Sequence, residues 1–126
     1  MQVRRIAGTS PYEPIVGFCR AVVAGDRVHV AGTAPIPPDG SSVPDSVLEQ
    51  TRLCLHIIGG ALEQAGSGFE HVVRTRVYLT DPAHFQEFAI AHGEVFADIR
   101  PANTTVVSSL LDPTWKVEIE VEAVLP

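Results

Sequence analysis

The chain has 126 residues, which is enough for one hydrophobic core and too few for two domains of ordinary size. Hydrophobic residues make up 45% and charged residues 19%, a composition typical of a folded chain and not of a disordered one. Nine Lys and Arg against fifteen Asp and Glu leave a net charge of −6, which opposes the phosphate neutralisation that nucleic-acid binding requires. We therefore predict a single domain over residues 1–126 with no nucleic-acid partner.

The chain also lacks the signals of export, membrane insertion and metal binding. No secretory hydrophobic segment occurs at the start, and no apolar run approaches the length of a membrane span. Cys19 and Cys54 form no C-x-x-C pair, and the five histidines show no zinc-binding spacing. We expect a cytoplasmic protein with reduced thiols, no metal or other cofactor, and no contact with a membrane.

The first predicted elements form a β-hairpin. Two β-rich runs, Phe18 to Val23 and Arg27 to Ala31, are separated by residues 24–26, whose Gly and Asp tolerate a tight turn. The loop over residues 33–44 that follows contains prolines that cannot donate hydrogen bonds to a strand ladder. We expect this loop to be an irregular surface connection.

A first helix is predicted after this loop. Ser46 and Glu49 have the spacing of a capping box, apolar residues then recur at steps of three and four, and Gly66 marks the end. The interior pair Gly59-Gly60 costs about 2 kcal/mol of helix stability relative to alanine. This cost indicates close packing against another backbone at that point.

The segment of residues 71–80 alternates in the manner of a strand. Its predicted apolar face contains Val73, Thr75, Val77 and Leu79. Its predicted mixed face contains Val72, Arg74, Arg76 and Tyr78.

A second helix is predicted from the N-cap and first-turn proline Asp81-Pro82 to about Ala97. Its apolar stripe consists of Phe85, Phe88, Ala89, His92 and Phe96. Two strands follow, and alternation in the last one places three glutamates on one face, namely Glu118, Glu120 and Glu122.

The predicted order is β-β-α-β-α-β-β, an α+β fold in which two helices cover one face of a mixed sheet. The opposite face must then meet water or another subunit. Arg74, Arg76, Tyr78 and the three glutamates lie on that second face. A mixed polar face of this kind suits either a solvated surface or a polar cavity that faces a partner.

Four stretches of the chain carry a family resemblance. They are "GFCRAVVAGDRVHVAGTAP", "VPDSVLEQTRLCLHII" followed by "ALEQAG", "HVVRTRVYLTD", and "RPANTTVV…DPTWKVEIEVEAV". In this order they resemble the Rid family, the reactive-intermediate deaminases, also called YjgF or, under an older name, endoribonuclease L-PSP. The resemblance implies a chorismate-mutase-like fold and a homotrimer that binds small molecules in clefts between subunits.

The resemblance also implies a set of site residues. In the deaminating branch of the family, an arginine binds the carboxylate of a 2-imino acid, and a glutamate helps to position the hydrolytic water. The arginine falls on Asn103, the family's common cysteine on Thr105, and the glutamate most simply on Glu120. The other pocket positions fall on Gly32, Ala31, Phe18 and Ile90. Only Gly32 and Glu120 have the residue type that the resemblance implies.

Asn103 cannot replace the bidentate, charge-assisted contact of an arginine with a carboxylate. Losing one partner of such a pair typically costs about 2 to 5 kcal/mol of binding. The ordinary 2-iminobutyrate deaminase activity is therefore not expected. Arg20, Arg76 and Arg100 remain alternative carboxylate-binding groups, and Arg20 shares a strand face with Phe18.

We predict a hydrolase of a small imine, enamine or related metabolite. Glu120 handles water, and Asn103 and Thr105 contact the substrate. As a structural group, Glu120 could instead pair with Arg74 or Arg76 across the sheet. The alternative function is a non-catalytic trimer of the same fold, favoured by the loss of the arginine, that binds a small molecule or a protein partner without turnover. Glu118 and Glu122 are weaker catalytic candidates, and the net charge argues against RNA cleavage.

Overall fold

Six strands form one mixed sheet in the computed structural model, which describes residues 1–126. The strand order is β1-β2-β3-β6-β4-β5, and only β4 and β5 run parallel. The predicted α+β fold with a mixed sheet is confirmed. The strands are β1 (Val3–Ile6), β2 (Ala21–Ala24), β3 (Arg27–Thr33), β4 (Val72–Leu79), β5 (Ala102–Val107) and β6 (Val117–Val124).

The beginning of the chain differs from the prediction. Strand β1, which pairs antiparallel with β2, was not predicted, because four residues with two arginines give too short an alternating pattern. The predicted start of the hairpin at Phe18 is also wrong. Residues Glu13–Gly17 form a single π-helical turn, and the first strand of the hairpin, β2, begins only at Ala21.

Helix α1 spans Val47–Gln64 and confirms the predicted capping. The Ser46 hydroxyl accepts a hydrogen bond from the backbone N–H of Glu49 at 3.0 Å. Gly66, with a φ of +87°, lies just after the helix in the left-handed region that glycine adopts most easily.

Helix α2 spans Phe85–Phe96 and follows the 3-10 turn Pro82–His84. Its buried stripe differs from the predicted one, because Ala91 is buried while Phe85 is 51% exposed. Phe88, Ala91 and the partly buried Val95 are three and four residues apart, which is the spacing of one helical face.

Strand β4 confirms the predicted alternation only from Arg74 onward. The pairing register with β6 shifts between Val72 and Arg74. Because of this irregularity, Val72 is buried and Val73 is exposed, which is the reverse of the prediction.

The core lies between the two helices and the sheet face that they cover. It contains 21 buried residues, and full burial of a large aliphatic side chain contributes about 1.5–3 kcal/mol. Val77 and Ile119 from adjacent strands and Ile58 and Leu62 from α1 are completely enclosed. No helix in the structure has both the length and the apolar character of a membrane span.

The two interior glycines of α1 have different surroundings. A Cβ atom on Gly59 would lie 2.8 Å from the ring of Phe69, whereas a Cβ on Gly60 would meet nothing within 4 Å. The predicted close packing therefore exists at Gly59, but its partner is an aromatic ring and not a backbone. Phe69 in turn packs edge-to-face on Phe96, with ring centroids 5.6 Å apart.

We expect Gly60→Ala to stabilise the protein by about 0.4–1 kcal/mol, because alanine favours the helix and has free space. Gly59→Ala should lose that gain and destabilise the protein by about 1–3 kcal/mol, because Phe69 must move. Urea unfolding of the two variants measures the difference. Equal free energies of unfolding would contradict the packing assigned to Gly59.

Candidate functional site

The three glutamates of β6 lie on the sheet face that the helices leave uncovered. Glu118, Glu120 and Glu122 pair across β6 and β4 with Tyr78, Arg76 and Arg74, respectively. They alternate with buried valine and isoleucine residues. The face is therefore polar by strand geometry and carries charges of both signs.

Glu120 is held by neighbours in its own chain. The hydroxyl of Tyr78 donates a hydrogen bond to Glu120, and this bond raises the pKa of Tyr78. Arg76 Nη1 lies 3.9 Å from Glu120 Oε2, and Arg76 Nη2 lies 3.8 Å from Glu122 Oε2. The pairing of Glu120 with Arg76 is thus present, whereas Arg74 donates instead to Thr104.

Two cavities open on this face, and Phe18 lines both. The larger, of about 670 Å³, contains Glu120 and Ala31. The smaller, of about 330 Å³, contains Arg20 and Glu118. Of the candidate site residues, Glu120, Ala31, Phe18, Arg20 and Gly32 therefore all line one or both of these cavities.

Glu118 approaches the backbone of β3 at a break in its pairing. The register between β3 and β6 shifts between Val30 and Thr33. A Cβ atom on Gly32 would lie 2.5 Å from Glu118 Oε2, so the glycine leaves the space that the carboxylate uses. Burial raises the pKa of Glu118, and the charge of Arg20 partly opposes this shift.

Asn103 and Thr105 lie on the other face of the sheet. Their cross-strand partners on β4 are Thr75 and Val77, both of which belong to the buried side. Asn103 Nδ2 donates to Thr75 Oγ1 at 2.9 Å, and Thr105 Oγ1 donates to Asn103 Oδ1 at 2.9 Å. Thr75 Oγ1 also lies 3.1 Å from His92 Nε2, and burial lowers the pKa of His92. Both ends of the Asn103 amide are thus engaged in an uncharged network.

A single chain does not bring all the predicted site residues together. Asn103 and Thr105 are separated from Glu120 and Gly32 by the sheet itself. Ile90 is 60% exposed on α2 and lines neither cavity. A ligand that contacted all of these residues would need more than one copy of the chain.

The alternative arginines have different environments. Arg20 is only 6% exposed and lines the smaller cavity. Arg76 forms ion pairs with Glu120 and Glu122. Arg100 is exposed, has a φ of +56° and lines neither cavity. The sequence did not single out Trp115, which lines the smaller cavity, because its contacts there come from the tertiary fold.

The sequence matches a known family over most of its length. A family model described as Endoribonuclease L-PSP matches residues 8–125. An uncharacterised protein from Streptomyces coelicolor is 40% identical over 122 residues, which cover 96% of this chain and 91% of that protein. A RutC family protein from Pyrococcus abyssi is 34% identical over 109 residues, which cover 86% of each.

Solved structures show the same relationship. The crystal structure of a YjgF/YER057c/UK114 family member from Mycobacterium tuberculosis has a TM-score of 0.88 and 38% identity, covering 98% of this chain and 100% of that chain. A Rid family protein from Yersinia pestis also has a TM-score of 0.88, with 29% identity and the same coverage. The fold is thus a YjgF-type α+β fold. The chain belongs to the Rid family, also named YjgF or endoribonuclease L-PSP.

We expect Glu118→Gln to stabilise the protein more at about pH 7 than near pH 4. The folded-state pKa of Glu118 is raised, so the penalty for its ionisation is absent below the unfolded-state pKa and grows as the pH rises through the folded-state value. Urea unfolding at both pH values measures the effect, with Glu122→Gln as the control. A stabilisation that is independent of pH would contradict the raised pKa of Glu118 and the partial burial that causes it.

Proposed function

We propose that the protein is a homotrimeric hydrolase that converts a small reactive imine or enamine into a carbonyl compound and an amine or ammonia. The substrate differs from the usual 2-imino acids, and it binds in clefts between subunits. The observation that carries this proposal is the position of Glu118 and Glu120 beside cavities on the uncovered sheet face.

The reaction needs one group that can take and return a proton. Water adds to the carbon of the C=N bond, the nitrogen gains a proton, and the resulting carbinolamine expels the amine to leave a carbonyl group. A carboxylate can deprotonate the attacking water and then protonate the leaving nitrogen. The reaction consumes one water and requires no oxidant.

Glu118 and Glu120 are the two candidates for this group. A general acid-base group works best when its pKa lies near the working pH, and burial moves Glu118 in that direction. Glu120 is the residue that the family resemblance implies, but Tyr78 and Arg76 engage its carboxylate. We therefore place Glu118 first and keep Glu120 as the alternative.

The substrate preference follows from Asn103. Its amide bonds to Thr75 and Thr105 and carries no charge, so it favours a neutral polar group over a carboxylate. A substrate carboxylate at this position would lose the bidentate contact that an arginine provides.

Trimer assembly is supported by two features of the chain. Asn103 and Glu120 lie on opposite faces of the sheet, so a shared cleft requires two copies. Strand β5 is also an edge strand, on which Val106 and Val107 are 42% and 53% exposed. Natural proteins usually cover or blunt an apolar edge of this kind.

A non-catalytic trimer that binds a small molecule in the same clefts is the second candidate function. The engaged amide of Asn103 favours it, because a group already bonded at both ends can be purely structural. A ligand that raises the melting temperature without giving a product would support binding without turnover.

We expect the wild-type protein to release little ammonia from freshly generated 2-iminobutyrate. Asn103→Arg should increase the rate at low substrate concentration by at least about 30-fold, because a charged pair with the carboxylate is typically worth 2 kcal/mol or more. Asn103→Gln, which lengthens the side chain without adding charge, is the matched control. Rapid hydrolysis by the wild type would contradict the role assigned to Asn103.

The two carboxylates can be separated in the Asn103→Arg background. Adding Glu118→Gln should reduce the rate about 100-fold or more, the usual contribution of a general acid-base group. Adding Glu120→Gln should have the smaller effect. The opposite order would identify Glu120 as the group that handles water.

We expect a mass of about three times that of the 13.5 kDa chain in sedimentation or light scattering. Val107→Lys places a charge on the exposed edge strand and should shift the protein toward smaller species. Arg52→Gln, on the solvent side of α1, should leave the mass unchanged. A monomeric wild type at micromolar concentration would exclude clefts between subunits.

A further inference from the structure

The smaller cavity on the polar face has the features of a binding site for a small organic acid. Its volume of about 330 Å³ lies in the range of about 300–1,000 Å³ that is typical of small-molecule sites. Tyr12, Phe18 and Trp115 supply aromatic walls, and Tyr12 packs edge-to-face on Trp115 at 6.4 Å between centroids. Arg20 and Glu118 are the only charged residues that line it.

Arg20 is a buried cation without an ion-pair partner. Its side chain makes one hydrogen bond, from Nη2 to the carbonyl oxygen of Gly32 at 2.9 Å, and its Nε is enclosed without a partner. No carboxylate oxygen lies within 4.0 Å of its guanidinium nitrogens. Buried charges in proteins are normally paired, because an unpaired one loses its hydration without compensation. The residue therefore has unused capacity to bind an anion.

The nearest acidic groups do not supply the missing contact. Glu13 contributes a favourable charge but directs its oxygens to the backbone N–H groups of Gly8 and Ser10, at 2.8 and 3.2 Å. Glu118 also attracts Arg20, but its carboxylate lies against Gly32. The charge of Arg20 is thus moderated by both glutamates, while its hydrogen-bond donors remain largely free.

The guanidinium group is also held in a defined orientation. Its central carbon lies 5.4 Å from the centroid of the Phe18 ring, within the distance of a cation–π contact. Together with the bond to Gly32, this contact fixes the planar group from two directions. A planar guanidinium of fixed orientation can bind a carboxylate through two parallel hydrogen bonds.

We propose that Arg20 binds the carboxylate of a small monocarboxylic acid whose aromatic or branched aliphatic body lies between Phe18 and Trp115. This inference rests on the proposed function and deepens it, since it names the ligand class of the cavity that contains Glu118. The carboxylate contacts Arg20 and not Asn103, and the aromatic or branched body distinguishes the ligand from 2-iminobutyrate. Arg20 thus provides the positive charge that Asn103 lacks, at a different place in the fold.

Trp115 provides a direct readout because it is the only tryptophan in the chain and lines this cavity. The probes are 3-phenylpropanoate and its uncharged analogue 3-phenylpropanamide, added to the intact protein while tryptophan fluorescence is followed. We expect the acid to bind at least about 30-fold more tightly than the amide, since charged pairs of this type differ by that factor. Equal affinity, or no fluorescence change with either probe, would overturn the proposal.

Variants of the arginine test its identity. Arg20→Gln should remove the preference for the acid, and Arg20→Lys should retain part of it. Arg52→Gln removes an arginine that is paired on the surface with Glu94 and Glu49, and it should bind both probes as the wild type does. An unchanged preference in Arg20→Gln would show that another group binds the acid. If Arg20→Gln does not fold, Arg20→Lys decides, because full retention of the preference in that variant would exclude a bidentate contact.

The experiment also separates this inference from the proposed function. Binding of 3-phenylpropanoate involves no turnover, so it can succeed while ammonia release fails for every imine tested. Hydrolysis of an imine by a protein that shows no preference for the acid probe would support the proposed hydrolase function and exclude the proposed role of Arg20.

Discussion

The central position of strand β6 is the constraint on which the rest of the molecule depends. It lies between β3 and β4 and alternates buried Val, Ile and Ala side chains with three glutamates. The apolar side holds the two helices on the sheet. The same alternation commits three carboxylates to the opposite face, where cations and polar groups from neighbouring strands must balance them. The apolar side chains that pack the core and the carboxylates of the opposite face therefore alternate along the same strand.

The irregular pairing between β3 and β6 gives these carboxylates different environments. At this break the backbone of Gly32 accommodates the carboxylate of Glu118, which is partly buried near Arg20. Glu120, two residues further along, remains between Tyr78 and Arg76. Carboxylates of the same strand and face thus differ in their surroundings and partners, and burial raises the pKa of Glu118.

The chain retains the family scaffold, but residue 103 is not the arginine that the resemblance implies. The family match extends over residues 8–125, whereas the position that the resemblance assigns to an arginine is Asn103, within a neutral network. At the same time a different arginine, Arg20, is buried beside an aromatic cavity. A substitution at one such position can change which ligand is accepted without changing the fold, because fold and function depend on different residues.

Local patterns in the sequence determined the helices, the later strands and the polar face. The Ser46 cap and the alternation of β6 depend on residues near in the chain, so their signals can be read directly. Strand β1, the bulge beside Gly32 and the reversal of Val72 and Val73 depend on pairing with distant strands, which the tertiary structure decided. The tertiary structure also decided the environment of the candidate site. The sequence and the resemblance provide the types and positions of its residues. The burial of Arg20, the separation of Asn103 from Glu120 by the sheet and the unpartnered Nε of Arg20 arise only when distant segments pack together.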